Sequence, residues 1–383
     1  MTVKLYENDS YIKQFEAVVL SCDKNGDTYD VVLDKTAFFP EGGGQAADIG
    51  TLCDANVLDV QIIGEKIIHK TDKALTVGQS VCGEIDWDLR FARMQNHSGE
   101  HIVSGIINSL FGYNNVGFHM SEKTMTLDVD GVLTAEDIVE IEKQANRAVY
   151  SNSDIYALYP SAKELDNIQY RSKIDFKEGV RLIKIDNYDC CACCAPHVAK
   201  TGEIGIIKLL DFYPNKQGTR VELVCGVNAL EDYCFLHNTN KSLMHLLSAA
   251  RDKTIEKAQK NYDEMMSLRS ENKSLSERLV MAQLETVNIN NSICAFSENS
   301  NYDELRYCAN IFSENDIDYC AVFSKTEDDN YIYVISSKNN DVRAVVNALN
   351  SAFQGRGGGK PNYAQGKITS AKQAITELLK GII

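Results

Sequence analysis

The stretch RMQNHSGEHIVSGI, residues 93–106, decides how the chain divides. It lies inside Leu89 to Leu110, a run without proline whose apolar residues recur at helical spacing, so it reads as a helix. On that helix His97 and His101 are one turn apart, and both imidazoles project from one face within reach of a single metal ion. Upstream the pattern is different. Short alternating runs such as FEAVVLSC, YDVVLDK and NVLDVQIIG are separated by turn signals such as Lys24-Asn25-Gly26-Asp27, which predicts a small barrel-like β-domain over residues 1–85. Downstream, a second helix from Ala135 to Tyr150 mixes with strands at MTLDVD, RLIKI and RVELVC, giving an α+β domain over 86–228.

From Gly226 to Gln354 the chain has no further glycine, and 229–288 also lacks proline. Met265, Leu268, Asn272, Leu275, Leu279 and Ala282 follow the alternating three–four spacing of a coiled-coil seam. The segment is expected to be a helical linker, either an amphipathic connector or a dimerising arm. Beyond it CAFSENS, YCAVFS and YIYVISS read as strands, and DVRAVVNALNSAF and SAKQAITELLKGI as helices, so 289–383 forms a small α/β domain. The fold class is α+β multidomain.

The formal charge of −15 argues against a protein that binds nucleic acid over its whole surface, because phosphate binding relies on Lys and Arg. Charge is segregated, however: Ser351 to Ile383 carries five basic residues against Glu377 alone. No apolar run suits a signal peptide or a membrane span, so a cytoplasmic protein without a membrane partner is expected. In a reducing compartment the twelve cysteines read as thiols. Eight are scattered core filler, and only Cys190, Cys191, Cys193 and Cys194 cluster.

That cluster lies in CCACCAPHVAKTGEIG, residues 190–205. Cys193 and His197, added to His97 and His101, supply a three-nitrogen, one-sulfur set that suits zinc. Two other readings stand beside it. Cys190-x₂-Cys193 and Cys191-x₂-Cys194 match a self-contained zinc knuckle, and all four could be buried thiols. HSGEH also fits the H-x-x-E-H pattern of certain zinc peptidases, with Glu100 as general base, a reading that needs a carboxylate ligand further on.

In KTAFFPEGGGQAADIG, residues 35–50, three glycines precede Gln45, which fits a tight turn or a substrate-cradling loop with Thr36 and Gln45 as its polar groups. GRGGGKPNYAQGK, residues 355–367, is a second glycine-rich stretch. It lacks the Walker A spacing, and Arg356, Lys360 and Lys367 favour contact with a phosphate backbone over an idle flexible loop.

Taken together, TAFFPEGGGQAADIG, RMQNHSGEHIVSGI and CCAPHVAKTGEIG resemble the three signature stretches of the alanyl-tRNA synthetase editing domain and its free-standing relatives. GRGGGKPNYAQG resembles the glycine-rich signature of that family's C-terminal tRNA-binding domain, and Leu230 to Val287 its helical linker. No stretch resembles the aminoacylation core. The resemblance implies a long-form stand-alone editing protein that hydrolyses serine, and in second place glycine, from alanine tRNA, with a homodimer through the linker or the C-terminal domain. It further implies zinc bound by His97, His101, Cys193 and His197, a catalytic role for Thr36, Gln45 and His101, Thr36 contacting the serine hydroxyl, and tRNA contacts from Arg356, Lys360 and Lys367. CCAP stands where the family has C-G-G-T, which singles out Cys194, and Glu100 stands where threonine or alanine is common. His119, in VGFHMS, is expected to be a packed histidine rather than a catalytic one.

Overall fold

The computed structural model describes residues 2–121, 123–172, 178–216, 218–314, 316–326 and 330–383. Two compact units divide the chain, Met1–Ser242 and Leu243–Ile383. The boundary between the units falls within the 229–288 segment.

The first unit opens with six antiparallel strands, β1 (Gln14–Asn25), β2 (Thr28–Leu33), β3 (Gly50–Leu52), β4 (Ala55–Ile63), β5 (Lys66–Thr71) and β6 (Ser80–Ile85). They close in the order β1-β2-β5-β4-β3-β6, with β6 pairing back onto β1. Strict alternation carries this closure. In β1, Phe15, Ala17 and Val19 point inward while Glu16, Val18 and Leu20 face out, and the inward set packs with Val31, Leu33, Leu52 and Val60.

Helix α1 (Trp87–Phe111) follows at once, capped by the Asp86 side chain on Leu89 N at 3.1 Å and ended by Gly112 at φ 72°. It is buried nearly all round between Met94 and Ile107, because other elements cover every side. The first unit continues with β7 (Asn115–Met120), β8 (Met125–Val129), α2 (Ala135–Ser151), β9 (Ile155–Leu158), β10 (Leu182–Ile185), β11 (Asp189–Ala192), β12 (Ile207–Asn215) and β13 (Gly218–Cys225). These strands form two sheets, β12-β13-β8-β7 and β9-β10-β11. Met94, Ile102, Ile106, Leu127, Ile141, Leu223 and their neighbours make one core between them.

Two glycines set how closely α1 seats. A Cβ on Gly105 would come within 2.3 Å of the Tyr188 carbonyl, and one on Gly99 within 2.2 Å of Cys225 Sγ. The helix is thus drawn down onto β11 on one side and β13 on the other. A buried ion pair ties it to the barrel as well: Arg90 Nε donates to both Asp48 oxygens, and its remaining nitrogens donate to the carbonyls of Ala37 and Ser10. Helix α3 (Gly226–Leu247) then leaves the sheet at Gly226, whose φ is 59°.

In the second unit α4 (Thr254–Gln283) leads into a six-stranded sheet: β14 (Glu285–Ile289), β15 (Ser292–Glu298), β16 (Cys320–Lys325), β17 (Asn330–Ser336), β18 (Arg356–Lys360) and β19 (Tyr363–Thr369), in the order β14-β15-β16-β17-β19-β18. Helices α5 (Tyr302–Ser313), α6 (Arg343–Ala352) and α7 (Lys372–Lys380) complete it. The C-terminal end of α4 joins this core through Val280, yet Met265, Leu268, Leu275 and Leu279 of its seam lie exposed. Arg356 to Lys360 corrects the expectation of a loop. It is an exposed edge strand paired residue for residue with β19. Glycine disfavours strands, but pairing with a formed neighbour decides the outcome.

Candidate metal centre

The site begins with a turn. Gly42 and Gln45 exchange backbone hydrogen bonds at 3.0 Å, and Gly43 and Gly44 between them take φ values of 60° and 84°. Only glycine adopts both at no cost. The turn docks on β7, where Gly44 O accepts from Met120 N at 3.1 Å and a Cβ on Gly44 would strike Phe118. This carries Gln45 beneath His97.

Each of the three imidazoles is held by its Nδ1. His97 Nδ1 lies 2.8 Å from Gln45 Oε1, His101 Nδ1 2.9 Å from Asp189 Oδ2, and His197 Nδ1 3.0 Å from Ser98 Oγ. Carboxamide and carboxylate oxygens can only accept, so Nδ1 donates in the first two and the free nitrogen is Nε2. The Nε2 atoms turn toward Cys193 Sγ, which stands 3.6 Å from that of His97 and 3.4 Å from that of His197. One ligating atom each from His97, His101, Cys193 and His197 falls within 4.8 Å of all the others. Zinc at ordinary Zn–N and Zn–S lengths in a tetrahedron separates nitrogen from sulfur by about 3.6 Å. The donor set and its spacing therefore fit zinc.

The electrostatics agree with a ligating thiolate. Burial alone would raise the Cys193 thiol, but His97, His197 and His101 around it hold it well below its ordinary value. Burial lowers His197 to about 3, whereas on His101 burial is overridden by Asp189 and the group titrates well above the usual imidazole range. Asp189 is gripped in turn by Arg171, whose Nε donates to Oδ1 at 2.7 Å and Nη2 to Oδ2 at 2.9 Å. Such partners behind a ligand fix its tautomer and basicity.

The cluster lies at a cleft of about 940 Å³, whose walls include Gly44, Glu100, Asn115, Phe118, Tyr170 and Arg171 together with the four clustered cysteines. Among the described residues, Cys193 alone of those four groups with all three histidines. Cys191 groups instead with His101 and Asp189, so no all-cysteine cluster forms among the described residues. Cys194 is exposed at the cleft, on the side of the Gly42 turn. Three assignments change. Thr36 is fully buried in the barrel and does not line the cleft: its hydroxyl lies 2.8 Å from His69 Nε2 and accepts from Phe38 N at 3.1 Å. Gln45 likewise sits behind His97, not in the cleft wall, and its Nε2 has no partner. His119 is exposed rather than packed, since strand alternation turns it away while Phe118 meets the His97 ring at 5.2 Å between centroids.

Asp189, Arg171, Ser98 and Asn115 were not singled out by the sequence. Asp189 directly precedes the cysteine cluster, which is the only signal it carried.

In the second unit Arg356 faces Lys367 directly across the β18–β19 pair, and Lys360 faces Tyr363. Residues opposite one another, and alternate residues of one strand, share a face, so the three basic side chains lie together. Arg306 of α5 joins them: its Nε donates to Tyr363 Oη at 3.0 Å, with the guanidinium 5.4 Å from the ring centre. The sequence reading did not include Arg306.

Three family models match: tRNA synthetases class II (A) over 8–89, the threonyl and alanyl tRNA synthetase second additional domain over 180–222, and the DHHA1 domain over 289–383. The first match falls on the barrel and includes the stretch 36–50. The alanyl-tRNA editing protein AlaX-L of Pyrococcus horikoshii is 27% identical over 99% of this chain and 97% of its own. For the alanyl-tRNA editing protein Aarsd1 of Rattus norvegicus the figures are 26%, 99% and 98%. Over nearly its full length the chain is similar to the long-form, stand-alone alanyl-tRNA editing proteins. The alanine–tRNA ligase of Ignicoccus hospitalis is 30% identical over 74% of this chain but only 32% of the ligase, so the chain spans about a third of that relative. Of the three matched stretches, 180–222 contains Cys193 and His197, half of the ligand set. Among the described residues no helix is long and apolar enough to cross a membrane.

Proposed function

We propose that this protein is an aminoacyl-tRNA hydrolase that acts in trans, cleaving the ester that joins serine, and glycine in second place, to alanine tRNA. The observation that carries the reading is the three-histidine, one-thiolate cluster set at a cleft, with every imidazole pinned through Nδ1. The full-length likeness to proteins named for alanyl-tRNA editing supplies the substrate class. Such a step answers a physical need, because a pocket shaped for alanine cannot strongly reject a residue that merely adds a hydroxyl or lacks a methyl group.

Zinc, when bound by His97, His101, Cys193 and His197, would polarise the ester carbonyl or hold the cleft's groups in position. The remaining work belongs to the chain. Gln45 and Asp189 keep His97 and His101 in the ligating tautomer, Arg171 keeps Asp189 in place, and Gly44 seats the turn against β7. The basic face of Arg306, Arg356, Lys360 and Lys367 grips the tRNA backbone. The exposed α4 seam supports pairing with a second copy of the chain.

The peptidase alternative receives no support, because Cys193 and His197 complete the donor set and no carboxylate is needed as ligand. To test the reading, the protein is incubated with seryl-, glycyl- and alanyl-tRNA for alanine, with and without chelator. Serine release that stops on metal removal and returns on adding zinc is expected. Absence of serine release by the metal-loaded protein would overturn it.

A further inference from the structure

Among the described residues, Glu100 is the one carboxyl group lining the cleft that neither ligates with the cluster nor pairs with Arg171. It is 4% exposed, lies next to His101 in sequence, and forms part of the cleft wall. Its hydrogen bonds among the described residues all fall on Oε1, which accepts from Ser104 Oγ and from Asn115 Nδ2, the latter at 2.8 Å. Both donors are neutral. The other charged pair at the cleft, Arg171 with Asp189, is closed on itself by two hydrogen bonds. Among the described residues no cation donates a hydrogen bond to this buried carboxyl group, whose second oxygen is left for the cleft, and Arg171 acts on it only through space.

Asn115 adds a second acceptor. The carboxyl group demands a donor from it, which fixes Nδ2 toward Glu100 and turns Oδ1 the other way. That Oδ1 is buried and has no partner. A buried unpaired acceptor beside a buried carboxyl group is costly unless a ligand brings donors. What fits is a small cation with several N–H groups, and the aminoacyl ester proposed above carries one, its α-ammonium.

The geometry points to Glu100, supported by Asn115 and Ser104, as the subsite that recognises the α-ammonium of the substrate. This rests on the hydrolase reading and deepens it. The ammonium donates to Glu100 Oε2, which orients the ester toward the cluster and excludes esters of uncharged acids. Glu100 is thereby a specificity residue rather than a base.

The test compares seryl-tRNA with the same tRNA carrying glyceric acid, in which a hydroxyl replaces the ammonium at nearly equal size. The wild-type protein is expected to favour the seryl ester on the order of tenfold or more in kcat/KM, as a charge-assisted hydrogen bond allows. In Glu100→Gln that preference collapses, chiefly through loss on the seryl ester, and bound zinc is unchanged. A Glu100→Gln protein that keeps the preference, or slows both esters alike, overturns the subsite. If the wild type cleaves neither ester, the hydrolase reading fails separately. Calorimetric binding of serinamide against glyceramide then decides: a preference for serinamide that Glu100→Gln abolishes upholds the subsite, and no preference overturns it.

Discussion

At the scale of single residues, His69 shows what buried polar groups require. Its Nδ1 lies 3.2 Å from the Val31 carbonyl, so that nitrogen donates and Nε2 accepts from Thr36, whose oxygen in turn accepts from Phe38 N. Burial lowers His69 from 6.5 to about 4, with the Val31 carbonyl opposing. The unfolded chain therefore binds a proton between those values that the folded chain refuses. Stability is present above about 6.5, falls as pH drops from there to about 4, and levels off below, a loss of up to about 3 kcal/mol. Equilibrium unfolding measured across that window should show this slope, and His69→Gln should flatten it. A second expectation concerns Gln45. Replacing it with alanine removes the acceptor for His97 Nδ1, so zinc affinity measured by competition with a chelator should fall roughly 10- to 100-fold while the barrel stays folded.

At the scale of elements, α1 is seated by its glycines. In an exposed helix Gly→Ala stabilises, but a methyl on Gly105 meets the Tyr188 carbonyl at 2.3 Å and Asp189 Cβ at 3.0 Å. Gly105→Ala should cost about 1–3 kcal/mol in thermal unfolding and lower zinc content by parting His101 from Asp189. A neutral or stabilised variant would show that the contact yields.

Element by element, the sequence also shows where legibility stops. The helices at 89–110 and 135–150 were readable from the helical spacing of their apolar residues, and the strands at YCAVFS and YIYVISS from short, continuous apolar runs rich in aromatic and β-branched residues. The pair His97 and His101 was readable through the same helical spacing. Cys193 and His197 share the four-residue spacing but lie on an irregular segment after β11, so their meeting with the helix depends on the sheet that carries them. Gln45, Ser98 and Asp189 stand 52, 99 and 88 residues from the imidazoles they orient, and no local pattern encodes such pairings. Arg356 to Lys360 escaped because its composition argues for a loop and only its partner strand makes it a strand.

At the scale of the whole molecule, Arg90 and Asp48 join the barrel to α1 with both side chains essentially excluded from water. Replacing either one alone leaves a buried charge without its counterpart, so Arg90→Met or Asp48→Leu should cost about 3–5 kcal/mol in denaturant unfolding. The double replacement should recover much of that loss. The division into two units leads to a further expectation: residues 1–242 alone should fold and hold zinc, and tRNA binding by the full chain should weaken with salt more steeply than that of the fragment. Equal salt slopes would count against the basic face of the second unit.

The three groups that orient the histidines come from different places: Gln45 from a turn between two barrel strands, Ser98 from the helix, and Asp189 from the edge of a small sheet. The metal centre is therefore also a gauge of tertiary assembly. Cobalt placed there would lose its tetrahedral absorption as soon as the barrel parts from α1, before circular dichroism records any loss of helix or strand.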